Sequence, residues 1–129
     1  EDKNYDAMIL GNGKGSLLTT IKTREESRWG TIVKGELVYN EQLIKACDEI
    51  AKTFGLMYNN SIQFIGNKVI EVNPRTSTYI YDKNFNEPYL SVKKILEEVT
   101  DSDIEVLRKD IPYGRRLCRY MDQVSFFGE

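Results

Sequence analysis

The chain has 129 residues, 40% of them hydrophobic and 29% charged, with a formal charge of -2, a balance that suits one ordinary domain with a real core and argues against a basic nucleic-acid groove. It has no histidine and only two cysteines, Cys47 and Cys118, which excludes Ser-His and Cys-His catalysis, His-ligated metals and a Cys-rich zinc site. Any metal here must be hard and held by oxygen.

Residues 5–10 read as a strand, "GNGKG" at 11–15 as its turn, and residues 17–23 as a returning β-branched strand. A Gly-rich turn in this place resembles a phosphate loop, but no Gly-Lys-Ser/Thr follows and no helix begins there, which favours a plain hairpin turn. The loop "REESRWG" at 24–30 leads into a strand from 31 to about 39. The segment "NEQLIKACDEIAKTF" at 40–54 then places Leu43, Cys47, Ile50 and Phe54 on one face, with Ile44 and Ala51 beside them, at helical spacing. Asn40 is its expected N-cap and Gly55 its stop, and Cys47 reads as core rather than as a nucleophile.

A hairpin follows at 62–73, then a polar segment rich in turn-formers. A helix is predicted over 88–99, with Pro88 in its first turn and Leu90, Ile95, Leu96 and Val99 as its apolar side. A short helix after Ser102 comes next, and "YGRRLCRYMDQVSFF" from Tyr113 reads as mostly extended. Its Arg115, Arg116 and Arg119 suit either an interaction strand meeting an acidic surface or an edge guarded by charge.

Strand pairs precede helices and connections are short, so the expected fold is α+β, a mainly antiparallel sheet with helices packed on one face, in a single domain over 1–129. No apolar run approaches the length of a membrane span and no basic-then-apolar signal segment opens the chain, so a soluble, cytoplasmic piece is expected. A start at Glu1 without an initiator Met suggests a portion of something longer.

The hairpin "IQFIGNKVIEVNPR" at 62–75 carries the chemistry. Ile62 and Phe64 alternate with Ser61 and Gln63, while Ile70 and Val72 alternate with Val69, Glu71 and Asn73. Burying the apolar set turns Gln63, Glu71 and Asn73 to the other face. For the sets to segregate, residues of equal parity must pair, which a three-residue loop Ile65-Gly66-Asn67 permits if Gly66 or Asn67 is left-handed. Three oxygen-bearing side chains, one a carboxylate, suit Mg²⁺, and the guanidinium of Arg75 suits phosphate oxygens. The plain alternative is a solvent-facing strand that is simply polar.

The stretch "IQFIGNKVIEVNPRTS" resembles the metal-binding end of the ATP-grasp superfamily. Within it, the stretch is most similar to carbamoyl-phosphate synthase large subunits and carboxylate–amine ligases, where an acid or Gln and then Glu-x-Asn-Pro-Arg hold the Mg²⁺ ions that bridge the ATP phosphates. Upstream, "NYDAMIL", "IKTRE" and the helix at 40–54 resemble the second ATP-grasp subdomain. The likeness covers residues 1 to about 90, with 91–129 as a helical and extended extension.

The resemblance implies an ATP- and Mg²⁺-dependent (or Mn²⁺-dependent) ligase that forms an acyl phosphate from a carboxylate. By it Gln63, Glu71 and Asn73 are metal ligands, Arg75 and Arg24 catalytic, and Lys22, Arg75 and Asn73 contacts to the nucleotide. Ser77 would touch the acceptor and Arg28 a substrate loop, or both are exposed polar loop. Met8 stands where many relatives carry an acid, although Asp6 matches a Glu of the synthases. The implied partners are ATP, a small carboxylate and a separate N-terminal ATP-grasp subdomain, with a homodimer compatible; neither nucleic acid nor membrane is expected. The rival expectation is a non-catalytic nucleotide-binding or interaction module.

Overall fold

A computed structural model of the chain describes residues 2–28, 31–77, 81–82 and 85–120. Strands β1 (Asn4–Asn12), β2 (Ser16–Thr23), β3 (Glu26–Arg28) and β4 (Thr31–Val38) precede helix α1 (Glu41–Phe54). Strands β5 (Met57–Ile65) and β6 (Lys68–Asn73) follow, then α2 (Glu87–Ile95), α3 (Asp101–Val106), a 3₁₀ turn (Leu107–Asp110) and β7 (Arg116–Cys118). The strand order is β3-β4-β2-β1-β5-β6 with β7 paired to β4, and every pairing of these strands is antiparallel. The expected α+β fold is present.

β1 is central. It pairs with β2 on one side and β5 on the other, and residues 6–11 are all buried. Its near-continuous apolar reading, "DAMILG", follows from cover on both faces. One face carries Ala7, Ile9, Ile21, Ile62 and Phe64, packed under Leu43, Cys47 and Ala51 of α1. The other carries Leu10, Leu18 and Leu37, packed with Phe85, Ile104 of α3 and Ile111. The helical layer is therefore divided, with α1 on the first face and α2 and α3 on the second.

α1 starts and stops where its residues dictate. The Asn40 side chain accepts from the Leu43 N–H, and the Gly55 N–H donates to the Ala51 and Lys52 carbonyls. Phe54, placed by spacing on the buried face, is 67% exposed at the last turn of the helix.

Other expectations are corrected. Part of the loop at 24–30 forms β3. α2 ends at Ile95 rather than Val99; Ile95 and Leu96 are exposed, and its buried residues are Glu87 and Ser91. The apolar side foreseen for this helix is carried inward only by Leu90, with Val99 beyond the helix. Within "YGRRLCRYMDQVSFF", residues 116–118 are strand, and Arg116 of β7 pairs with Glu25 at 2.7 Å; residues 121–129 lie outside the described residues. Among the described residues no helix is long and apolar enough to cross a membrane.

Candidate functional site

The hairpin β5–β6 reaches the expected facing by a different route. Its turn has two residues, since Ile65 pairs with Lys68, and Gly66 takes the left-handed φ of +56° that such a turn needs. A two-residue turn alone pairs residues of opposite parity, as in Phe64↔Val69. A bulge then inserts Ile70, and beyond it the pairs are Gln63↔Glu71, Ile62↔Val72 and Ser61↔Asn73. The bulge restores equal parity, so Gln63 and Glu71 share a face, and so do Ser61 and Asn73. Ile70, assigned to the buried set from its alternation, is 56% exposed as the bulged residue.

The same register continues across β1 and β2. Asp6 of β1 pairs with Gln63 on one side and with Lys22 on the other. Four adjacent strands thus line up Lys22, Asp6, Gln63 and Glu71 in one row, with Thr20, Met8, Ser61 and Asn73 in the next. Arg24, one step beyond Lys22 on the same face, donates from Nη1 to Gln63 Oε1 at 2.9 Å, and its Nε stands 3.9 Å from Asp6 Oδ2. An open depression of about 370 Å³ lies here, lined in part by Arg24, Ser27, Gln63 and Ile70.

Lys22 occupies an unexpected position. It is 1% exposed, and its Nζ faces Glu87 Oε1 of α2 at 3.3 Å and the ring of Tyr81 at 4.8 Å instead of open solvent. Thr20 also donates to Glu87 Oε1. Burial pulls the Lys22 pKa below its ordinary value, while the Glu87 charge and hydrogen bond oppose that. Further along the same face Asp82, 3% exposed, accepts from Arg115 at 2.7 Å.

Asp6 is 5% exposed. Burial pushes its carboxyl up to about 6; Arg24 and Lys22 pull it down, and the charge of Glu71 adds to the rise. Its Oδ1 has no hydrogen-bond partner among the described residues, a costly arrangement for a buried polar oxygen.

The remaining candidates lie around this row. Asn73 is half-buried at the end of β6. Arg75 is exposed just beyond it and donates to the Thr76 carbonyl at 3.3 Å. The Ser77 carbonyl accepts from the Tyr81 hydroxyl at 2.8 Å, and Arg28 pairs with Glu26 in exposed β3.

An oxygen-ligated cation fits these residues on two counts. Gln63, Glu71 and Asn73 supply three oxygen-bearing side chains on one face, and Asp6 adds a buried oxygen that lacks a donor. Among the described residues no group of three or more His, Cys, Asp or Glu gathers for a metal, so amides would have to share the ligation. Sequence reading left Asp6 out of the ligand set and did not single out Glu87, Thr20 or Tyr81. An acid inside the apolar run "YDAMIL" was the available signal for Asp6. Glu87 carries no such signal, because an acid beside Pro88 at a helix start is ordinary.

Compared with known protein families and with curated proteins, the chain matches none.

Proposed function

We propose that this chain is the carboxy-terminal ATP-grasp portion of an ATP-dependent ligase that activates a carboxylate. One observation carries the reading: the register that brings Lys22, Asp6, Gln63 and Glu71 into one row over four strands, with Arg24 reaching into it. Phosphoryl transfer asks for positioned charge more than for acid–base groups, which accords with a site that lacks histidine.

In this reading a carboxylate oxygen attacks the γ-phosphorus of ATP, the bond to the β–γ bridging oxygen breaks, and ADP leaves. An amine then attacks the acyl carbon and releases inorganic phosphate. Arg24 and Arg75 hold the phosphoryl oxygens with planar, bidentate donors. Gln63, Glu71 and Asn73 would hold a divalent cation, which when bound neutralises charge between the β- and γ-phosphates. The second wall, an N-terminal ATP-grasp subdomain, would stand over the open depression beside Arg24 and Gln63. A cytoplasmic setting belongs to the proposal, and two unbridged cysteines accord with it.

A second reading, a nucleotide-binding module without catalysis, is favoured by one feature. Lys22 is already satisfied by Glu87 and is closed off from solvent.

The test is a calorimetric titration of the chain with ATP and Mg²⁺, beside Glu71→Gln and a chelated control. Binding that disappears both on chelation and in Glu71→Gln is expected; equal binding in all three would sink the metal role. Carboxylate-dependent ADP release, assayed with the first subdomain present, separates the ligase from the module.

A further inference from the structure

Arg24 and Asp6 raise a question that the ligand set Gln63, Glu71 and Asn73 leaves open. The Asp6 carboxylate is nearly buried, yet one oxygen has no partner among the described residues and the other meets Arg24 Nε only at 3.9 Å, beyond hydrogen bonding. The Arg24 guanidinium spends its short contact on Gln63 Oε1, at 2.9 Å. Gln63 lies between Asp6 and Glu71 in the row. With strands about 4.8 Å apart, those two carboxylate-bearing positions bracket Gln63 across about 10 Å of backbone. Two acids flanking Gln63 in the row, with a guanidinium already on its amide oxygen, suggest a cation seat occupied by the protein's own charge.

We propose that Asp6 is a ligand of the divalent cation together with Gln63 and Glu71, and that Arg24 holds this seat in the metal-free chain and is displaced when the cation binds. The inference rests on the cation-site reading above and extends it by one ligand and an order of events. Gln63 has a single side-chain oxygen, and a guanidinium donating to it competes with a cation for the same lone pairs. Displacement leaves Arg24, 25% exposed at its side chain, able to swing toward the open depression and meet an anionic phosphoryl group. The cation would then organise the site in two ways, by its own charge and by releasing Arg24. Mg²⁺ and Mn²⁺ are the fitting class, because the donors are carboxylates and an amide and waters can complete the shell.

The experiment is Mn²⁺ binding to the whole chain followed by electron paramagnetic resonance, in wild type, Asp6→Asn, Arg24→Met and Glu71→Gln. Asp6→Asn keeps the shape and removes one charge, and urea unfolding of each variant confirms that it is folded before Mn²⁺ is added; Arg24→Met keeps the apolar stem and removes the competitor. Asp6→Asn should weaken Mn²⁺ on the order of tenfold, and Arg24→Met should tighten it by a similar factor. Unchanged or weaker binding in Arg24→Met overturns the placeholder. Loss of Mn²⁺ in Glu71→Gln with none in Asp6→Asn overturns the added ligand and leaves the site reading standing. Absence of Mn²⁺ binding in wild type and in Arg24→Met overturns both.

Discussion

Cys47 is fully buried on the inner face of α1, and burial pushes its thiol from its ordinary value up to about 12. The folded protein keeps this proton over a range in which the unfolded chain loses it, so unfolding releases a proton and stability falls as pH rises. The slope approaches about 1.4 kcal/mol per pH unit for one full proton. Wild type should therefore lose part of its advantage over Cys47→Ala between about pH 9 and 11, as urea melts of the two proteins would measure; a constant difference would contradict the burial argument. In the native protein a thiol reagent should react promptly at exposed Cys118 and reach Cys47 only on unfolding. Cys47 was legible as core because its helical spacing belongs to one residue and its near neighbours. Asp6 was only half legible: its oddity shows in the sequence, but the unpaired oxygen depends on groups from β2 and β6.

Among the elements, the β5–β6 hairpin shows how local chemistry and register combine. The alternation of Ile62 and Phe64 with Gln63 demanded equal-parity pairing, and the structure meets that demand with a two-residue turn plus a bulge at Ile70. Gly66 bears the turn's left-handed residue at φ +56°, and an added Cβ would press to 3.3 Å on the Asp2 side chain. Gly66→Ala should cost about 1 kcal/mol in denaturant unfolding, with the cross-strand contacts between Gln63 and Glu71 retained. Lost contacts would mean that the turn, not the bulge, sets the register of the site. Gly11 makes a harder demand, because a Cβ there would stand 2.1 Å from the Leu56 carbonyl oxygen. Two backbones meet at that point and neither is a flexible side chain, so Gly11→Ala should cost about 3 kcal/mol or more. A near-neutral thermal shift would show that β1 and the α1–β5 connection can part.

Across the whole molecule, the pair Lys22–Glu87 joins residues 65 apart in sequence and fastens α2 to the sheet face that bears the site. Both side chains are 1% exposed, and Glu87 Oε2 has no partner among the described residues. Removing Glu87 takes the carboxylate at 3.3 Å away from a buried ammonium, at about 3–5 kcal/mol, whereas apolar replacement of both is much better tolerated. Glu87→Ala should therefore destabilise far more than the double variant Lys22→Met with Glu87→Leu. Additive losses in a double-mutant cycle would show that the two charges do not support each other.

The sequence by itself determined what depends on period and local chemistry. It marked α1 with its caps, the hairpins but not the length of the second one's turn or its bulge, the antiparallel α+β class, and the alternation that sends Gln63, Glu71 and Asn73 to one face. These are decided within a few residues by side-chain direction and hydrogen bonding of neighbours. Tertiary structure alone decided which strands lie side by side, and so that Asp6 stands between Lys22 and Gln63, that Glu87 rather than solvent meets Lys22, and that α2 turns Ile95 and Leu96 outward. A strand pairing or a buried ion pair is a free-energy balance among distant segments, and a charge is inside or outside only once those segments have met.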